Sequence, residues 1–182
     1  MANNFAIHDV GMGLKIIESF YVEDNRGYFL KSFEKNVFKE LGVENELAEV
    51  FESYSKKDVI RGLHFQTVNP QIKIVRAVTG KVLDVAVDIR KDSATFGKWH
   101  AVELSAENHC SFYIPRGFAH GFRVLSGDAI VSYQCIGQYE KGSDTGIVWN
   151  DKDLNIAWGI ENPIVSVRDQ ELMSFEEYRK SI

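Results

Sequence analysis

The chain has 182 residues, 45% of them hydrophobic and 26% charged, which is ordinary for one globular domain with a sizeable core, here taken as residues 1–182. A net charge of -5 argues against a general nucleic-acid binder, which carries a basic surface, yet leaves room for an anionic small ligand held by a few arginines. The opening residues lack a basic segment followed by an apolar run, and no apolar stretch approaches the length of a membrane span, so neither a secretory leader nor membrane attachment is expected.

Residues 34–42 read as a short helix, with Val37, Phe38 and Leu41 on one face and Gly42 as a stop. An apolar strand start at Val59-Ile60 leads into Arg61-Gly-Leu-His64-Phe-Gln66. Residues 72–78 are β-rich and end at the turn signal Thr79-Gly80. Residues 82–89 follow as a second strand, with Asp84 and Asp88 on one parity and Leu83, Val85, Val87 and Ile89 on the other. Further strands are expected at residues 99–104, 111–114, 122–125, 129–135 and 146–149. The stretch 169–182 is polar and helical, with Ser174 and Glu177 at capping-box spacing. Turn signals recur about every 8–12 residues, the mark of an all-β sandwich or barrel. A jelly roll suits this many short strands, because two packed sheets leave few edges exposed. Cys110 and Cys135 are too few for a disulfide framework and read as reduced core residues in a cytoplasmic protein.

Taken singly, the polar residues in these strands have bland readings. His64 alone reads as a core histidine, Tyr133 as strand filler, and His120, between Gly117 and Gly121, as part of a corner. Their company changes the weighing. Arg61, Gln66, Gln71 and Lys73 all interrupt apolar strand sequence, and burying so many donors is costly unless they face a polar ligand. Both parities around Lys73 are apolar, so its charge there implies a pocket. A histidine, a lysine and a tyrosine together can move protons at a carbon next to a ketone. Tyr139, in the loop after Tyr133, is placed either to stack on a nucleobase or to pack a turn. The five histidines, His8, His64, His100, His109 and His120, include no His-x-His pair, so no metal site is expected. No glycine-rich phosphate loop precedes a helix.

The ordered landmarks Asp24-Asn-Arg26-Gly27, Arg61-Gly-Leu-His64-Phe-Gln66, Gln71-Ile-Lys73, Gly80-Lys-Val-Leu-Asp84, Ile114-Pro-Arg-Gly-Phe-Ala-His120-Gly-Phe122, Tyr133, Tyr139 and Ser166-Val-Arg-Asp169 resemble the nucleotide-sugar 3,5-epimerases, of which the dTDP-4-dehydrorhamnose 3,5-epimerases are best known. The resemblance runs from about residue 14 to residue 170. It implies a cupin-type jelly roll with short peripheral helices, a homodimer, and no metal or organic cofactor. It implies epimerisation at C3 and C5 of a nucleoside-diphosphate 4-keto-6-deoxyhexose through an enolate. By the same resemblance His64 is the general base, Asp169 the carboxylate that orients it, Lys73 the cation at the enolate oxygen and Tyr133 the acid on the opposite face. Arg26, Arg61 and His120 match positions that bind the diphosphate and sugar, and Tyr139 matches an aromatic near the base.

The chain also departs from that family. Lys31 stands where a glutamate is usual, Glu49 and Phe51 where glutamine and asparagine are usual, Asp144 for a glutamate and Arg168 for a lysine. Lys31, Glu49 and Phe51 fall at positions that help hold the nucleotide, so the expected change is weaker dTDP binding or another preferred base. A single-centre epimerase, an enzyme acting on a CDP- or GDP-linked sugar, and a non-catalytic nucleotide-sugar binder remain the alternatives.

Overall fold

The computed structural model describes residues 4–40 and 46–182. In chain order the elements are β1 (Ala6–Asp9), β2 (Lys15–Glu18), β3 (Phe20–Asp24), β4 (Gly27–Lys31), α1 (Lys35–Glu40), β5 (Glu49–Lys56), β6 (Ile60–Gln66), β7 (Ile72–Asp88), β8 (Trp99–Ser105), β9 (Cys110–Ile114), β10 (Phe118–Ile136), β11 (Asp144–Gly146), α2 (Val167–Gln170) and α3 (Phe175–Ser181). The molecule is all-β with short peripheral helices, a cupin-type jelly roll.

Two long strands carry it. β7 and β10 pair antiparallel from Phe118↔Asp88 to Ile136↔Ile72. One half of β7 pairs β9 through Lys73–Val75, and the other half pairs β8 through Lys81–Val87. β10 divides likewise, pairing β6 near His120 and β5 from Asp128 to Cys135. Each long strand therefore belongs to both sheets. This corrects the division of each into two strands. Gly80, at φ 69°, lets β7 bend without breaking, and β10 absorbs the same corner in a register shift between Val124 and Ala129. The last expected strand lies earlier, at Asp144–Gly146, because Ile147 makes only an isolated bridge to Met173.

Strand parity divides the core into three layers. The interior between the sheets holds Val75, Ala77, Val82, Ala86, Phe112, Phe122, Val131, Tyr133 and Cys135. Outside one sheet, Leu63, Phe65, Val85, Val87 and Ile89 pack under the C-terminal segment through Leu154, Trp158, Phe175 and Tyr178. Outside the other, Phe38 of α1 packs on Ile17, Ile74, Tyr113 and Ile136. Both faces of β7 beyond Gly80 are thus covered, which explains the nearly unbroken apolar run there. Leu41 and Gly42 of the expected first helix lie outside the described residues. At the other end of the chain Ser174 and Glu177 form the reciprocal capping box that starts α3.

Candidate active site

Alternation along the strands decides which polar residues face inward. Leu63 and Phe65 point to the outer layer, so His64 and Gln66 point in. Lys73 shares the parity of interior Val75. Tyr133 lies between interior Val131 and Cys135 on β10. On β5, Glu49, Phe51 and Ser53 face the interior, while Val50 and Tyr54 face outward and are exposed. Four strands of differing sequence position, β5, β6, β7 and β10, therefore present their polar residues to one cavity of about 370 Å³. Glu49, Phe51, Arg61, His64, Lys73, His120, Tyr133, Tyr139 and Asp144 all line it.

His64 Nε2 lies 2.7 Å from Asp169 Oδ1. Asp169 is buried and held from behind: its Oδ2 accepts the Gly62 N–H at 3.0 Å, and its own N–H donates to Ser166 Oγ, the N-cap of α2. Burial raises the Asp169 carboxyl, but the hydrogen bonds from His64 and Gly62 outweigh it and leave the group below its ordinary range. An ionised carboxylate on Nε2 selects the tautomer that keeps Nδ1 free to take a proton.

A second carboxylate–imidazole pair lies beside the first. His64 on β6 is the cross-strand partner of His120 on β10. His120 Nε2 lies 2.8 and 3.0 Å from the two oxygens of Asp84, and both residues are buried. Burial pushes the Asp84 carboxyl up, against the pull of His120 and Lys73. The His120 edge approaches the Tyr133 ring at 5.9 Å, and the Phe51 ring stacks on that ring at 4.7 Å and 13°. Burial, and then the Asp84 charge, push the Tyr133 phenol above its ordinary range, which favours the protonated form. Lys73 is pushed the other way: burial lowers it, partly offset by Cys135, Asp144, Asp84 and Glu49. Cys135 sits across from Lys73 in the ladder and is pushed up to about 11 by burial, which makes it an inert thiol.

Close backbone packing sets these pairs in register. A Cβ on Gly121 would lie 2.6 Å from Arg61 O, and one on Gly62, at φ 110°, would lie 2.6 Å from Gly121 Cα. Only glycines let β6 and β10 approach this closely beside His64 and His120.

The sequence profile of the dTDP-4-dehydrorhamnose 3,5-epimerases matches residues 11–177. A curated enzyme of that name from Methanothermobacter thermautotrophicus is 45% identical over 168 residues, covering 91% of each chain. The one from Shigella flexneri is 49% identical over 157 residues, covering 85% of this chain and 86% of its own. The crystal structure of a dTDP-6-deoxy-D-glucose-3,5-epimerase from Legionella pneumophila in complex with dTDP-4-keto-L-rhamnose superposes with a TM-score of 0.91 at 40% identity, over 95% of this chain and 94% of that one. The chain belongs to the dTDP-4-dehydrorhamnose 3,5-epimerase family. Its members are isomerases.

Not every candidate of this epimerase reaches the cavity. Arg26 sits at the turn of the separate β3–β4 hairpin, largely exposed and paired with Asp24 at 2.6 Å. Lys31 pairs with Glu34 at 2.8 Å. Neither lines the cavity of its own chain, because their two-stranded sheet is not hydrogen-bonded to the main one. Arg168 stands at the rim, where its guanidinium donates to Asp144 Oδ2 at 2.7 Å; Tyr139 donates to the same oxygen at 3.2 Å. Glu49 is occupied as well, accepting from Gln71 Nε2 at 2.8 Å. Arg61 is aimed by β5, donating to Ser55 Oγ and Tyr54 O. Asp84 is the functional candidate that sequence reasoning missed. Its signal was an aspartate on the interior parity of an otherwise apolar strand, which costs several kcal/mol or so unless a cation partners it. Among the described residues no three His, Cys, Asp or Glu side chains converge as metal ligands, and no helix is long and apolar enough to cross a membrane.

Proposed function

We propose that this epimerase converts dTDP-4-dehydro-6-deoxy-D-glucose to dTDP-4-dehydro-L-rhamnose by acid–base chemistry at C3 and C5. The observation that carries the reading is the convergence of His64, backed by Asp169, with Lys73 and Tyr133 in one cavity. Protons at C3 and C5 are acidified by the shared C4 carbonyl. His64 Nδ1 removes one, and the charge that develops on O4 meets the Lys73 ammonium in a site of low dielectric, where a fixed cation counts most. Tyr133 returns a proton to the opposite face, and inversion follows because base and acid flank the ring. Arg61 and His120 hold the diphosphate and sugar, and Tyr139, in the mobile setting of a surface loop, offers a face to the base. No metal or organic cofactor takes part.

A homodimer is the second element of the proposal. Tyr28 and Phe29 on the hairpin, each 60% exposed, and Val50 and Tyr54 on the edge strand β5 present apolar surface of the kind that oligomers cover. The resemblance assigns Arg26 to substrate, yet its own cavity does not use it. A pair of chains in which each hairpin reaches the partner's cavity reconciles the two. The substrate class and the free thiols of Cys110 and Cys135 support a cytoplasmic location.

The test is incubation with dTDP-4-dehydro-6-deoxy-D-glucose in deuterated water. Label is expected at both C3 and C5, and His64→Ala should slow its entry by about 10²–10⁴-fold. Label at one carbon would make the enzyme a single-centre epimerase. No label at all would leave only a binding protein.

A further inference from the structure

Sequence reasoning assigns Phe51 to the nucleotide end of the substrate. Its register gives it a further neighbour. Phe51 on β5 lies directly across from Tyr133 on β10, and the rings are stacked at 4.7 Å with an interplanar angle of 13°. The Tyr133 ring also meets the His120 ring edge to face, with centroids 5.9 Å apart and planes at 76°. Tyr133 is 8% exposed but Phe51 is 44% exposed, so Phe51 spends part of its apolar surface on the cavity rather than in the core. The Ser53 hydroxyl lines the same cavity and makes no hydrogen bond of normal geometry. The Phe51 stack is the aromatic packing contact that bears on the plane of the Tyr133 ring from β5.

We infer that Phe51 is a positioning residue for the acid, clamping Tyr133 against His120 so that the enolate is reprotonated from the far face. The inference rests on the epimerase reading above. In the step it serves, the electron pair of the enolate carbon takes the phenolic proton, a C–H bond forms as the O–H bond breaks, and the phenolate recovers a proton from water. Phe51 touches no reacting atom. It narrows the ring's motion and keeps water from its face. An asparagine at this position, as is usual in the family, offers neither the stack nor the apolar cover. Without them an enolate waits longer for its acid and more often recaptures a proton from His64, on the face it left.

The experiment compares wild type, Phe51→Asn, Phe51→Leu and Phe51→Tyr in deuterated water. The readout is deuterium in recovered substrate divided by epimerised product, with KM measured alongside. Phe51→Asn and Phe51→Leu should raise the ratio roughly three- to tenfold, the weight of one aromatic pair. Phe51→Tyr keeps the stack and should stay within about twofold of wild type. KM should move little in all three. A merely structural residue would shift the melting temperature and leave the ratio alone, and a nucleotide contact would raise KM at constant ratio. Either result overturns the inference. If Phe51→Asn fails to fold, Phe51→Leu, which keeps an apolar side chain at this half-exposed site, carries the test. A wild-type protein that neither exchanges nor inverts the substrate refutes the epimerase reading instead.

Discussion

The two imidazoles of the cavity are made different by their surroundings. His64 opens to the cavity with its carboxylate behind it, whereas His120 is enclosed with Asp84. His64 is the more open of the two, so the proposed assignment of the base to His64 agrees with burial as well as with residue type. Tyr133 supplies a sharper test. Tyr133→Phe removes the acid and leaves the base, so label should still enter the recovered substrate while inversion falls by about 10²-fold or more. Equal loss of exchange and inversion, followed by NMR of the substrate protons, would mean that Tyr133 only binds. Lys73 predicts a pH effect. In the proposed mechanism its ammonium meets O4, and burial lowers its ionisation below the ordinary lysine range. Activity should therefore be present at lower pH and decline on the alkaline side before free lysine would titrate. Lys73→Arg stays charged throughout, so its slower reaction should lack that limb. A kcat–pH profile with the same alkaline limb in both proteins would assign the limb to another group.

At the scale of elements, the end of β7 is held by one carboxylate. Asp88 is fully buried and accepts from the Arg90 guanidinium at 2.7 and 2.8 Å and from Ser93 and Thr95 hydroxyls at 2.6 Å each. Burial alone would raise it, but these bonds bring it down to about 2. A folded-state value below the unfolded one stabilises above the unfolded value and ceases to do so as pH falls through the folded one. Asp88→Asn should therefore cost on the order of 1–3 kcal/mol at neutral pH, and the deficit should close as pH falls from near 4 toward 2. Urea midpoints measured across that range check it. A deficit that persists at pH 2 would show that hydrogen-bond geometry, not ionisation, carries the stability. The turn ends the same strand that carries Lys73 into the cavity and Asp84 against His120.

At the scale of the molecule, the hairpin is the open question of geometry. If Arg26 serves the partner's cavity, an Arg26→Ala chain and a His64→Ala chain, each inactive alone, should restore activity when co-expressed. The mixed dimer holds one cavity with both an intact His64 and the other chain's intact Arg26. Random pairing then predicts roughly a quarter of wild-type activity. Activity no greater than the sum of the two single variants would place Arg26 in cis or outside the mechanism, and light scattering reports the assembly directly. The three altered family positions also separate at this scale. Lys31 travels with the hairpin, while Glu49 and Phe51 sit in the rows of Lys73 and Tyr133. Their alteration bears on the reacting groups before it bears on the base.

The sequence by itself determined the fold class, because alternation and turn spacing are local properties that survive in any antiparallel jelly roll. It also singled out the polar residues that share one cavity. His64 and Lys73 stand in apolar strand sequence, where burying a polar group is costly unless a polar partner or ligand meets it, and Tyr133 lines the same cavity. The start of the last helix was legible for the same local reason, since Ser174 and Glu177 satisfy each other within one turn. What the tertiary structure alone decided is everything that depends on which strands are neighbours. Thr79-Gly80 reads as a turn, yet the ladder runs through it, because pairing to β10 continues on both sides. Asp84 reads as an odd core aspartate until β10 brings His120 to it from 36 residues away. The stack of Phe51 on Tyr133 exists only through the β5–β10 register. Side-chain chemistry is written residue by residue, but its partners are chosen by long-range pairing, which no local pattern encodes.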